Sequence, residues 1–323
     1  MNSQFQITEQ NQDTLFHHIN IKNKITGGFL SILPNLGARL NSAFLNFGNS
    51  LIPVLKELKD ENLISNDDIF NNVKLFPFAN RIRNGKYTFN NQNFELPINY
   101  KDEGNACHGF LYNAKFNIIS KNILKEYAEV ELEYESLKKM EGYPFCFKVS
   151  VVYKFTLTGE VIITTKVFNL NNSEILFTDG WHPYYALDTN VDNLSIEFNA
   201  MEKLELDQNN IPNGIVSSLS NGSYHHIDLK NKKLDNLFRY SENNEINFIY
   251  IIPNNADYKL KIWHESGINK YNYLVLYIPP DRNSIAVEPM TSSIDAFNNR
   301  EGLIILKPEE FWSVSMGFSL LKQ

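Results

Sequence analysis

The chain has 323 residues, of which 43% are hydrophobic and 21% charged, the balance of a soluble protein with a substantial core and not of a disordered tail. Its formal net charge is −7 with scattered basic residues, so an extended nucleic acid meets repulsion over most of the surface and is excluded as the main partner. No apolar run approaches the ~20 residues of a membrane helix, and residues 1–23 are too polar for a secretory signal, so no membrane association and a cytoplasmic location are expected.

Residues 22–33 read as a strand, a Gly27-Gly28 turn and a second strand, with a third at 40–47, because apolar residues recur in short bursts bounded by glycine or asparagine. The one helical expectation falls in 51–72, where Ser65-Asn66-Asp67-Asp68 is a capping sequence for a short turn. Residues 76–86 are interrupted by Pro77 and Gly85 and read as a loop, a common place for function. Residues 87–89 and 93–96 flank Asn90-Asn91-Gln92 as a hairpin.

Beyond His108-Gly109-Phe110 the alternation is strong. Ala128, Val130, Leu132 and Tyr134 alternate with Glu129, Glu131 and Glu133, and Phe147, Val149, Val151, Tyr153 and Phe155 alternate with polar residues. A period of two is what an antiparallel sheet with one wet face requires. Residues 161–170 follow as a hairpin partner, and further strands are predicted at 194–198, 247–252, 259–263, 273–278, 284–288, 303–306 and 312–320. So many strands with almost no helix predict an all-β chain, two large antiparallel sheets packed as a sandwich. No repeat or linker divides the sequence, and 1–323 is expected to form a single domain. Cys107 and Cys146 lack metal-type spacing and read as reduced, buried thiols.

Residues able to do chemistry lie on or beside strand ends: Arg81, His108, His182 and Glu288, with Asp235 set among apolar neighbours. His182 stands in the polar-aromatic cluster Asp179-Gly180-Trp181-His182-Pro183-Tyr184-Tyr185. Histidine exchanges a proton near neutral pH, although a histidine among aromatics is often only a hydrogen-bonded core residue. Glu288 ends the strand at 284–287 and is fixed by Pro289; at a cleft it is a candidate base, and at an ordinary edge it is merely solvated. The histidines and Glu288 come from distant segments without a close ligand pair, so no metal is expected. There is no Gly-x-Ser-x-Gly elbow, and Gly27-Gly28 lacks the lysine and helix that cradle phosphate, so no nucleotide cofactor is expected.

Four blocks fall in a familiar order: Asn80-Arg81-Ile82 with Gly85-Lys86-Tyr87, then His108-Gly109, then Trp181-His182-Pro183-Tyr184, then Glu288-Pro289-Met290-Thr291 with Asp295-Ala296-Phe297-Asn298. Together they resemble the aldose 1-epimerase (galactose mutarotase) family over nearly the whole chain. The resemblance implies the family's galactose mutarotase-like supersandwich and interconversion of the α and β anomers of a free aldohexose. It implies a monosaccharide partner and no cofactor, in a monomer or homodimer. It casts His182 as the acid that protonates the ring oxygen and Glu288 as the base for the anomeric hydroxyl. Arg81 and His108 would hold sugar oxygens, Asp235 vicinal hydroxyls, and Trp181 and Tyr184 the sugar's apolar face, with Tyr185 turned to the core by alternation. Acid and base are expected on opposite sides of one ring, with His182 charged and Glu288 ionised. Galactose-specific members commonly lack the tryptophan and proline of this cluster, which leaves the sugar open. Two alternatives stand: a hexose 6-phosphate epimerase, for which Arg81, Arg83 and Lys86 are close in sequence, and a sugar-binding module without turnover.

Overall fold

The alternating segments form the strands that their pattern demands. The structure, a computed structural model, describes residues 3–59, 70–219 and 224–323, so the expected capped turn at 65–68 lies outside the described residues. Tyr127–Ser136, Phe147–Thr156 and Val161–Asn169 pair antiparallel, with Val130 opposite Tyr153 and Tyr153 opposite Ile163. The apolar members are buried, and the acidic and basic residues between them face water, where Lys148 meets Glu133 at 3.5 Å.

These strands continue through Phe311–Lys322, Tyr258–Glu265, Ile246–Pro253 and Leu194–Phe198 into a nine-stranded sheet. An eight-stranded sheet carries Asp235–Arg239, Tyr273–Tyr277, Ile285–Met290, Gly180–Trp181 and Lys74–Leu75 side by side. A five-stranded meander runs from Phe5–Gln10 to Ser50–Pro53. The main apolar cluster joins all three, drawing Val151, Tyr153 and Phe155 from one sheet, Trp181, Leu274 and Val287 from another and Ile32 and Leu40 from the meander. The fold is the antiparallel β-sandwich expected, and its short α-helix, Ala296–Asn299, follows the last strand of the eight-stranded sheet.

Strands with weak sequence patterns sit at sheet edges. Phe5–Gln10, Asn117–Ile123 and Pro212–Ser218 each end a sheet and bury little, so no alternation marks them. Two expectations are corrected. Glu288 does not end its strand, because Ile285–Met290 runs on through Pro289. Cys146 is only half-buried, whereas Cys107 is fully buried, and both are free thiols.

Inside the sandwich lies a charged group that the sequence pattern did not mark. Lys74 is fully buried, its Nζ 2.5 Å from Asp179 Oδ1 and 3.1 Å from the Gly180 carbonyl, and 4.6 Å from the centre of the Trp181 ring. The Tyr271 hydroxyl donates to the same Asp179 oxygen at 2.7 Å. Burial pushes the Lys74 ammonium down to about 8, against the attraction of Asp179. Removing one member of such a pair strands a buried charge at a cost of ~3–5 kcal/mol, while replacing both with apolar groups is often neutral. Lys74→Met is therefore expected to lower unfolding stability in urea by ~3–5 kcal/mol, and Lys74→Met with Asp179→Leu to recover most of that loss.

Candidate active site

Strand register builds one wall of the site. Gly180 pairs with Met290, and Tyr184 pairs with Ala286. The intervening His182 is thereby set across from Glu288, which itself pairs with Val275. The His182 backbone is clamped on its other side: its N–H donates to Val73 at 3.1 Å, and its carbonyl accepts from the Asn72 N–H at 2.9 Å. Asn72 Oδ1 also accepts from the Tyr184 N–H at 2.8 Å. His182 Nε2 and Glu288 Oε1 are 3.2 Å apart. The Tyr184 ring stacks on the imidazole with centroids 4.8 Å apart.

The short paired strands Arg81–Ile82 and Ala106–Cys107, with the loop that follows the second, bring in further residues. Arg81 pairs with Cys107, and the His108 N–H donates to the Asn80 carbonyl at 3.0 Å. Asn80 and His108 both have left-handed backbones, φ 61° and 65°, a conformation costly for residues with a Cβ and concentrated at functional sites. Gly109 follows at φ 68°, and a Cβ there would lie 2.0 Å from the Phe76 carbonyl oxygen, so only glycine lets the His108 loop approach this closely. Arg81 is held by two groups through three hydrogen bonds: Nε to Glu103 at 2.5 Å, Nη2 to Glu103 at 3.0 Å and Nη1 to Asn80 Oδ1 at 2.9 Å. The His108 ring lies 5.3 Å from that of His182 and 4.7 Å from that of Phe70, centre to centre.

Among these segments is a cavity of about 900 Å³, and His182, Glu288, Arg81, His108, Asp235 and Tyr184 all line it. Trp181 does not. It is buried on the other face of the sheet, with its ring 6.2 Å from that of Tyr153, and its expected contact with a sugar is corrected. The rule that turns Tyr185 into the core applies equally to Trp181, four residues earlier on the same alternation. The basic residues near Arg81 in sequence do not converge with it: Arg83 pairs with Asp207 at 2.8 Å, and Lys86 lines a separate groove. Glu103, Asn80, Tyr100, Lys56 and Asp281 also line the cavity and were not singled out from sequence. Only Asn80 had a usable signal, its place beside Arg81.

Residues 17–319 match the model of the aldose 1-epimerase family. The chain belongs to that family. An aldose 1-epimerase of Streptococcus thermophilus is 25% identical over 238 residues, 72% of this chain and 60% of that protein. The uncharacterized protein YihR of Escherichia coli K12 is 24% identical over 252 residues, 72% of this chain and 73% of its own. Among solved structures, a galactose mutarotase-like protein of Clostridium acetobutylicum superposes with a TM-score of 0.85 at 22% identity, covering 99% of both chains. Galactose 1-epimerase of Lactobacillus acidophilus gives 0.78 at 18% identity, covering 100% of this chain and 99% of its own. At those identities the superpositions establish the fold.

For this aldose 1-epimerase family member, burial sets the charge state of the site. His182 and Glu288 are both nearly inaccessible to solvent, and low dielectric disfavours the charged form of each. Burial lowers the His182 imidazole, with Arg81 acting in the same direction, and raises the Glu288 carboxyl well above its usual range, with Asp235 adding to the rise and Arg81 opposing it. His108 is likewise lowered well below the ordinary value by burial, then by His182 and Arg81. The His182 and Glu288 shifts both run against the expected charged histidine and ionised glutamate, because burial disfavours the charge on each. The expected placement on opposite sides of a ring is corrected, since the 3.2 Å contact makes them neighbours on one wall. In the free protein, histidine-selective NMR is expected to find His182 uncharged one unit below the ordinary value of ~6.5, the signal being assigned by its loss in His182→Asn. A charged imidazole there would mean that burial does not govern the pair.

Proposed function

We propose that this protein is an aldose 1-epimerase that interconverts the anomers of a free aldohexose, with His182 and Glu288 as the acid–base pair. The supporting observation is their direct 3.2 Å contact on the wall of a cavity that Arg81, His108 and Asp235 also line. The two oxygens that exchange protons in this reaction, the ring oxygen and the anomeric hydroxyl, are bonded to the same carbon. Adjacent catalytic groups therefore reach both from one side, and neither has to cross the ring.

In the neutral arrangement Glu288 carries the proton, with its Oε1 3.2 Å from His182 Nε2. Moving that proton onto the imidazole creates acid and base in one step without a change in net charge. The Glu288 carboxylate then takes the proton of the anomeric hydroxyl while the imidazolium gives one to the ring oxygen, and the bond between that oxygen and the anomeric carbon breaks. Rotation about the bond next to the open-chain aldehyde and closure with the roles reversed yields the other anomer. Arg81, fixed by Glu103 and Asn80, is oriented to donate to a sugar oxygen. His108 and Asp235 lie on the cavity wall beside it. Tyr184, stacked on His182, presents an aromatic surface to the ring carbons.

Anomer exchange in freshly dissolved glucose and galactose, followed by polarimetry or NMR, is expected to exceed the buffer rate. A rate equal to buffer for a panel of neutral aldoses would remove the proposal. Glu288→Gln keeps the shape but removes the base, so turnover should fall by roughly 10²–10⁴-fold while sugar affinity changes far less; equal loss of both would point to a binding module. Because the active pair carries one mobile proton, turnover should be bell-shaped in pH. Its acid limb should lie below the ordinary imidazole value, where His182 takes a second proton, and its alkaline limb above the ordinary carboxyl value, where Glu288 loses the only one.

A further inference from the structure

We propose that the cavity selects its sugar by charge, accepting neutral and ammonium-bearing aldoses and rejecting anionic ones, with Asp235 as the residue that sets this preference. The inference rests on the reading of the cavity as a sugar site and names the class of sugar it takes. Two side-chain cations line the cavity, and each already faces a carboxylate: Arg81 is engaged by both oxygens of Glu103, and Lys56 Nζ lies 3.2 Å from Asp281. Residues 1–2, 60–69 and 220–223 contain no lysine, arginine or histidine, so the sequence has no further side-chain cation to bring from them.

Asp235 is the carboxylate in excess. It is an exposed residue of the cavity lining and makes no contact ion pair among the described residues, although the charge of Arg81 acts on it from a distance. Register puts it on the same face as Glu288 and one row away: Asp235 pairs with Tyr277 and Tyr277 with Ala286, while Leu237 pairs with Val275 and Val275 with Glu288. A sugar covering Glu288 therefore lies beside Asp235. A phosphate or carboxylate on that sugar would meet Asp235 and Glu103 with no uncommitted side-chain cation to receive it, and it would add to the influences that keep Glu288 protonated when a base is needed. An ammonium would instead supply the missing counter-charge. The overall charge of −7 acts in the same sense on approach.

Anomer exchange of D-glucose, D-glucosamine, D-glucose 6-phosphate and D-glucuronate should be compared slightly below neutral pH, where the amine is protonated, at constant ionic strength and after subtraction of each buffer rate. We expect kcat/KM for the two anionic sugars to be at least about tenfold below that for glucose, glucosamine to equal or exceed glucose, and Asp235→Asn to reduce the ratio of glucosamine to glucose 6-phosphate by about tenfold. An anionic sugar turned over as well as glucose, or an unchanged ratio in the folded variant, would overturn the proposal. If no sugar is turned over, calorimetric titration of the wild-type protein with the same four sugars separates the two claims. Affinities in the same charge order would keep charge selection while removing the epimerase reading, whereas equal affinities, or no binding, would remove both.

Discussion

The pairing of Gly180–Trp181 and Tyr184–Tyr185 with Ile285–Met290 is the constraint on which the site depends. Two segments more than a hundred residues apart in sequence are held in one register, and that register sets His182 across from Glu288. A slip of one residue would send His182 into the core and bring Trp181 to the cavity, because successive side chains in a strand point to opposite faces. Backbone hydrogen bonds from Asn72 and Val73 on the other side leave His182 little freedom to drift. The reactive pair is thus positioned by the sheet, and the paired strands Arg81–Ile82 and Ala106–Cys107 bring Arg81 and His108 to the same cavity.

Burial does two things at this wall. It excludes water from the contact between imidazole and carboxyl, and it disfavours the charges that the two groups would carry in solution. The ionised arrangement of the pair is therefore the costlier one in the water-excluded site. Behind the sheet, the Lys74–Asp179 pair takes the opposite course, keeping two opposite charges together in the dry interior under the same strand that presents His182. Lys74 pairs with Trp181 and Val73 lies beside His182, so the structural pair and the reactive pair lie on opposite faces of the segment around Trp181 and His182, which both use.

Much of this was legible in the sequence where the pattern is local. Alternation marked the long central strands, and the same alternation carried the reading of Tyr185 as a core residue. Applied to Trp181 it would have given the right answer as well, but an aromatic next to a reactive histidine invites a functional role. Glu103 had no local signal, since it sits in the polar run Lys101-Asp102-Glu103-Gly104 and matters only because the fold brings Arg81 to it. Lys74 could not be recognised as buried, because lysine seldom is and its partner lies 105 residues away.

The sequence by itself determined the all-β class, the faces of the strongly alternating strands, and the set of histidine, glutamate and arginine from which the chemistry is drawn. Each of these depends on residue type and short-range spacing, which a chain carries whatever it later touches. Only the tertiary structure decided that His182 and Glu288 are side by side, that burial disfavours the charge on both, and that each cavity cation is already matched by a carboxylate. Those properties come from distances and water exclusion between segments far apart in the chain, and electrostatic energies in a buried site are set by such neighbours and not by the residue alone.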